Sequence, residues 1–234
     1  IIEKVIKINF SWSVRFQYKS WNNLVMWKSK EISNPKGTFL ADPFIVKYGK
    51  TDFIFVEEYV YSKKRGHISV LQVEDEQPIY LGKILEENFH LSYPMIFEYK
   101  NNFYMVPETG KKRSIRLYKC MDFPLKWGFE KTIMSHVDAA DATIFPYENK
   151  WWMLVNIDPA GRNDHCSELF AFWSEDPTSD KWIPHKLNPL IINPAKARMG
   201  GLFKDGEQIY RVAQCQGFNM YGEKSIIYNI KELT

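Results

Sequence analysis

Four stretches of this 234-residue chain repeat one succession of small, polar and apolar positions. They are Ala41-Asp42-Pro43-Phe44-Ile45-Val46, Ser92-Tyr93-Pro94-Met95-Ile96-Phe97, Ala140-Asp141-Ala142-Thr143-Ile144-Phe145 and Ala197-Arg198-Met199-Gly200-Gly201-Leu202-Phe203. Each opens on a small residue, passes a polar or aromatic one and runs into an apolar strand. Turns follow at Tyr48-Gly49-Lys50, Lys100-Asn101-Asn102, Glu148-Asn149-Lys150 and Lys204-Asp205-Gly206, where Gly, Asn and Asp suit the positive φ angles of tight hairpins. Second apolar strands are expected over 53–56, 103–106, 151–155 and 209–213. Third strands are expected over 67–71, 114–118, 168–172 and 224–228, with fourth strands at 127–133 and 182–185.

The repeats start 51, 48 and 57 residues apart. Short antiparallel strands at that period predict β-propeller blades. The expected fold is all-β, a single five-bladed β-propeller domain over residues 1–234. Ile6-Lys7-Ile8 and Trp12-Ser13-Val14-Arg15-Phe16 would make or complete the fifth blade; four blades is the competing count, and a repeated sandwich the other architecture. No helical periodicity longer than about two turns is present. The chain opens on Ile1 without a signal-peptide pattern, as expected of a processed or trimmed piece of a longer protein.

In a propeller the first strand of each blade lines the central channel, and its hairpin partner ends at the same face. Aligning the repeats puts Asp42, Tyr93, Asp141 and Arg198 in one layer. Fifteen residues on come Glu57, Glu108 and Asn156, and in the fourth repeat, allowing for an extra residue near Gly200-Gly201, Gln214. Carboxylates converging on a confined pocket repel one another and lose water, so at least one should hold its proton longer than usual. One charged and one protonated carboxyl is what acid–base chemistry needs. Glu58 should point away from Glu57, because strand residues alternate, and is the weaker of the two. Arg198 would neutralise the acids or hold an anionic group. An Asp at a strand start also commonly caps a turn, the plain structural alternative for Asp42 and Asp141.

Lys63-Lys64-Arg65, Lys111-Lys112-Arg113 and Arg162 with His165 fall in loops at the same end. They are expected to form a positive rim favouring a phosphate-bearing or acidic ligand. Composition narrows the classes further. A net charge of +3 argues against a general nucleic-acid binder. No apolar run approaches the ~20 residues of a transmembrane helix. The aromatic share of 16% suits both strands and sugar-binding surfaces. Cys120, Cys166 and Cys215 lack metal-type spacing, and an odd number predicts a reduced, cytoplasmic setting. The histidines show no ligand spacing, and there is no P-loop or dinucleotide glycine motif, so neither metal nor cofactor is expected.

Phe39-Leu40-Ala41-Asp42-Pro43-Phe44, His90-Leu91-Ser92-Tyr93-Pro94, Pro107-Glu108-Thr109, Asp141-Ala142-Thr143-Ile144-Phe145, Lys150-Trp151-Trp152 and Tyr221-Gly222 resemble the N-terminal domain of glucosamine inositolphosphorylceramide transferases. Similar domains occur in bacterial polysaccharide-biosynthesis proteins, and the likeness runs from about Trp12 to Thr234. That family is similar in turn to the five-bladed propellers of family 43 and family 32 glycosidases, where an inner-strand Asp of the first blade is base or nucleophile. The resemblance implies Asp42 as base or nucleophile, Asp141 as the residue that orients or tunes the site, and Glu108 as general acid. Arg211-Val212-Ala213-Gln214 departs from the Arg-Pro-Ala-Gln expected there, and Cys215 stands where an acid is usual.

The function expected is action on a glycosidic bond, by hydrolysis or transfer, with Asp42, Asp141 and Glu108 carrying the chemistry. Glu57, Glu58, His90, Tyr93, Asn156, Arg198, Arg211 and Gln214 would position a carbohydrate or sugar-phosphate ligand, Tyr93 by stacking on it. The alternative is a non-catalytic glycan or sugar-nucleotide recognition module serving a fused or separate catalytic domain, since in the plant transferases a distinct C-terminal domain is the glycosyltransferase. A protein-interaction propeller is the third class.

Overall fold

The structure, a computed structural model, describes residues 11–217 and 221–233. The strand expected at Ile6-Lys7-Ile8 lies outside the described residues. Helical elements there are three single 3-10 turns, Trp21–Asn23, Met26–Lys28 and Gly110–Lys112, and no helix is long and apolar enough to cross a membrane.

Strands β1 (Val14–Phe16) and β2 (Lys30–Ile32) pair as a two-stranded ribbon. Blade one contains β3 (Thr38–Tyr48), β4 (Thr51–Val60), β5 (Arg65–Glu74) and β6 (Gln77–Leu85) in spatial order. Blade two repeats this with β7 (Ser92–Tyr99), β8 (Asn102–Glu108), β9 (Ser114–Asp122) and β10 (Lys126–Ser135). Blade three has β11 (Ala139–Tyr147), β12 (Lys150–Ile157) and β13 (Glu168–Ser174), with short β14 (Ile183–Pro184) and β15 (Ile191–Ile192) both pairing with β13. Blade four has β16 (Met199–Asp205), β17 (Gln208–Cys215) and β18 (Lys224–Ile230). The described residues therefore form a propeller of four blades, the competing count of the sequence reading. The N-terminal segment, expected to supply a fifth blade, contributes the β1–β2 ribbon.

All four inner hairpins close through two-residue loops, with Tyr48 opposite Thr51, Tyr99 opposite Asn102, Tyr147 opposite Lys150 and Asp205 opposite Gln208. The first loop residue is at positive φ each time: Gly49, Lys100, Glu148 and Gly206. Such turns match the right-handed twist of the flanking strands.

The core is divided into layers between blades. Phe55, Val70, Leu91, Met105 and Tyr118 fill the layer between blades one and two. Val106, Leu117, Ile144, Met153 and Val155 fill the next, and Phe145, Trp152, Leu154, Leu169 and Met199 the third. The second strands of blades one to three are buried on both faces, which explains why they read as unbroken apolar runs, whereas that of blade four alternates. Each fully buried large apolar side chain contributes about 1.5–3 kcal/mol. Ribbon residues Val14 and Ile32 pack on Leu40, Ile54 and Val56 of blade one, while Trp21 packs at a tilt against Phe203 and Tyr210 of blade four. The ribbon thereby bridges the first and last blades.

Candidate functional site

Every inner strand carries one extra residue near its start. The register slips between Ala41 and Phe44, Ser92 and Met95, Ala140 and Thr143, and Met199 and Leu202. At the slip Asp42, Tyr93 and Asp141 take φ values of 48°, 48° and 55°. A bulge of this kind re-aims a side chain out of the strand's alternation, and Asp tolerates the left-handed conformation better than most residues. The bulges turn the carboxyls of Asp42 and Asp141 toward the channel mouth.

This register corrects the alignment of the fourth repeat. Met199 pairs with Ala213 as Ala41 pairs with Glu57, so Gly200, two residues past Arg198, holds the position of the acids, and Ala213, not Gln214, stands opposite. Arg198 and Gln214 still reach the site. Arg198 Nε lies 2.5 Å from Asp141 Oδ2 and its Nη2 3.5 Å from Glu108 Oε2. Gln214 Nε2 donates to Met199 O at 2.7 Å and lies 3.5 Å from Asp141 Oδ2.

A cavity of about 390 Å³ is lined by Asp42, Glu57, His90, Glu108, Asp141, Arg198 and Gln214, with Trp12, Arg15, Phe39, Ser92 and Tyr221 among its other walls. Glu57 and Asp141 are buried in its floor; Asp42, Glu108 and His90 keep some exposure. Asp42 Oδ2 accepts a hydrogen bond from the Tyr93 N–H at 3.1 Å, tying blade two to blade one. Asp42 and Glu57, like Asp141 and Glu108, stand near enough for each carboxyl to change the other's hold on its proton. His90 accepts the Gly66 N–H at Nδ1, 2.8 Å away, and turns Nε2 to Glu57 Oε1 at 3.4 Å.

Burial, reinforced by the neighbouring Asp42 and Glu108, pushes the Glu57 carboxyl up to about 9. Burial raises Asp141 to about 8 against the pull of Arg198, with Glu108 adding to the rise. Glu108 is raised by burial, again against Arg198. Asp42 is raised to about 6, by burial and then by Asp141, while the Tyr93 N–H and Arg198 restrain it. Burial also lowers His90, with Lys111 adding to the effect. Near neutral pH one acid is ionised beside acids that keep their protons, the division of labour that acid–base catalysis uses.

Four predicted residues lie elsewhere. Tyr93 is buried, with its hydroxyl 2.8 Å from Thr143 Oγ1 and its ring edge-on to Phe44, so it cannot stack on a ligand in the cavity. Asn156 is fully buried; it donates to Glu168 O and Ala197 O and accepts from the Met199 N–H, stitching blade three to blade four. Arg211 donates to Lys196 O at 2.7 Å and stacks on Tyr228, away from the carboxyls. Glu58 faces away from Glu57, accepting from Ser69 and Tyr80 and lying 3.2 Å from His67 Nε2. Burial pushes Glu58 up, but hydrogen bonds from His67, Tyr80 and Ser69 bring it down to about 2.

The rim is also less positive than its sequence implies. Lys63 and Arg65 both pair with Glu86, and His165 lies 2.8 Å from Asp138. Conversely, sequence reasoning missed Trp12 and Tyr221, which meet edge to face at the mouth with ring centres 6.3 Å apart. Arg198 lies beneath the Tyr221 ring at 6.0 Å. The aromatic excess and the Tyr221-Gly222 motif were the available signals.

Residues 15–234 match the family model described as glucosamine inositolphosphorylceramide transferase 1, N-terminal. The chain is 36% identical over 202 residues to glucosamine inositolphosphorylceramide transferase 1 of Oryza sativa subsp. japonica, covering 84% of this chain and 27% of that protein. It is 32% identical over 219 residues to the Arabidopsis thaliana protein of the same name, covering 91% and 28%. The chain thus spans little more than a quarter of these relatives. Among solved structures, a family 117 glycoside hydrolase of Zobellia galactanivorans superposes with a TM-score of 0.62 at 11% identity, covering 86% of this chain and 69% of that one. A family 32 β-fructofuranosidase of Bombyx mori gives 0.60 at 14%, covering 80% and 45%. These likenesses show the shared propeller fold.

Proposed function

We propose, for a chain that belongs to the family of the glucosamine inositolphosphorylceramide transferase 1 N-terminal domain, that the carboxyl-lined cavity binds a sugar and acts on its glycosidic bond. The observation that carries this reading is the cavity itself, where Asp42, the acid that ionises at about 6, stands among acids that burial keeps protonated. Asp42 would serve as base or nucleophile. Glu108, raised by burial and partly exposed at the wall, would protonate the leaving oxygen. Asp141, held against Arg198, would set the charge of the floor. Trp12 and Tyr221 offer apolar ring faces at the mouth for a sugar to lie against. Near neutral pH the charge of Asp42 offsets that of Arg198 among acids that keep their protons, which favours a neutral sugar over the anionic ligand that the rim suggests.

A recognition module is the second reading, favoured by one fact: the relatives are nearly four times as long as the matched stretch, leaving room for a separate catalytic domain. Assaying the purified chain on a panel of glycosides and oligosaccharides, with Asp42→Asn and Glu108→Gln alongside, tests both. The catalytic reading expects each variant to lose turnover by about 100-fold or more while binding is kept. Binding without turnover in the unaltered chain would leave recognition as the function.

A further inference from the structure

The inner-strand bulges face the cavity mouth, so the two-residue turns at the far ends of those strands mark the opposite end of the propeller. Residues 17–29 link β1 to β2 there, and three hydrogen bonds pin this loop and its exit to turns of blades one and four. The Tyr18 hydroxyl donates to Asp52 Oδ2 at 3.0 Å, beside the β3–β4 turn. Trp21 Nε1 donates to Asp205 Oδ2 at 2.8 Å, at the β16–β17 turn. Lys30 Nζ donates to Glu76 O at 3.1 Å, in the β5–β6 turn.

Between these anchors the loop presents large apolar side chains to water. Trp27 is 77% exposed and Met26 68%, and Tyr48, 54% exposed, stands on the adjoining β3–β4 turn. A loop that needed only to be solvated would not hold such groups outward. Behind it, a mainly apolar cavity of about 740 Å³ runs between Leu24 and Met26 of the loop and Ile45 and Ile54 of blade one.

The charge around these groups has one sign. Segments 17–30 and 47–50 contain five lysines and no acidic residue. Lys30 pairs with Glu76 at 3.3 Å. Lys19, Lys28, Lys47 and Lys50 are exposed and in no ion pair among the described residues. Lys28 Nζ lies over the Trp27 ring at 5.0 Å, so ring and cation are offered together. Protein interfaces are depleted in lysine, which argues against a protein partner. Trp and Tyr beside lysines instead match the boundary of a bilayer, where rings enter among the headgroups and ammonium groups meet anionic lipid.

We propose that this end of the propeller docks on an anionic lipid surface. Trp27 and Met26 enter the headgroup boundary, and Lys19, Lys28, Lys47 and Lys50 lie against the lipid charge. Because three hydrogen bonds already fix the loop, little ordering is required on docking. Trp12, at the other end of β1, lines the cavity, whose mouth therefore opens away from the lipid. This docking does not depend on what the cavity binds.

Co-sedimentation with vesicles of phosphatidylcholine and phosphatidylserine in equal parts tests it, with pure phosphatidylcholine vesicles alongside. The unaltered chain should bind the mixed vesicles more tightly than the pure ones, and less so as salt is raised. Lys19→Glu combined with Lys28→Glu should weaken binding by about five-fold or more for each lysine reversed. Trp27→Ser and Met26→Ser, both at exposed positions, should each weaken it by about five-fold while leaving the melting temperature unchanged. Leu187→Ser, at a 74% exposed position between β14 and β15, should have no effect. Failure to bind the mixed vesicles, or equal binding to both kinds, overturns the proposal. So does a loss in Leu187→Ser equal to that in Trp27→Ser. Self-association that Trp27→Ser abolishes, in a chain that ignores vesicles, would make this face a contact between copies and overturn lipid docking.

Discussion

Arg198 Nε lies 2.5 Å from Asp141 Oδ2, joining the fourth blade to the third beneath the cavity floor. The same guanidinium reaches Glu108 of blade two and donates from Nη1 to His165 O in the loop after β12. One cation therefore offsets acids from two other blades, and the low-dielectric surroundings make its loss costly.

Removing that cation should be felt first as stability. Arg198→Met takes away the guanidinium that lies against Asp141 and Glu108, and the cost should grow as pH rises toward the value of about 8 at which Asp141 ionises, because an ionised Asp141 then has no counter-charge. Urea unfolding should show the fall in midpoint, and adding Asp141→Asn to the variant should recover part of it. Equal stability of Arg198→Met and the unaltered chain would contradict the role assigned to the ion pair.

Stability should also decline as pH rises. Glu57 and Asp141 titrate in the folded chain at about 9 and 8, well above ordinary carboxyls, so the folded state binds more protons than the unfolded one from about pH 4 upward. Their contribution is complete below that range and is lost as pH climbs through the folded values. Thermal melts from pH 5 to 9 should fall for the unaltered chain, and Glu57→Gln, which cannot ionise, should flatten the slope. A melt temperature that rises over this interval in both proteins would refute the protonated floor.

At the mouth, Trp12 and Tyr221 are about half exposed, so truncating them should spare the fold. Trp12→Ala or Tyr221→Ala should weaken glycan binding about ten-fold, the equivalent of ~1.4 kcal/mol. Calorimetric titration alongside a thermal melt separates the two effects. Undiminished affinity in both variants would remove the aromatic pair from the site.

Gly201 has a φ of +121°, a backbone conformation that side-chain-bearing residues rarely adopt, although a Cβ there would meet no atom within 4 Å. Gly201→Ala should therefore destabilise through the backbone alone, by about 1–3 kcal/mol. A denaturation midpoint unchanged from the parent would show that the fourth bulge relaxes without cost.

The repeat, the hairpins and the carboxyls of Asp42, Glu57, Glu108 and Asp141 that line the cavity are legible in the residues themselves. Alternating apolar runs and two-residue turns act locally, and a strand's period of two already tells Glu57 from Glu58. Tyr93 shows the limit. It shares the bulge position and the positive φ of Asp42 and Asp141, yet its ring is buried beside Phe44, and only its N–H serves the site. An equivalent position along the repeat guarantees an equivalent backbone, not an equivalent direction for a long side chain.

Asn156, Arg211 and Arg198 make the same point from the last blades. All three are polar, buried and close in the repeat, but Asn156 and Arg211 spend their hydrogen bonds on carbonyls between neighbouring segments, while Arg198 meets two acids. Composition and periodicity were enough for the blade architecture and for the acids at the strand starts, because both follow from contacts short along the chain. Which polar groups face the cavity, which stitch blades together, and which carboxyls keep their protons follow from contacts between blades, where burial and the one shared guanidinium set the balance.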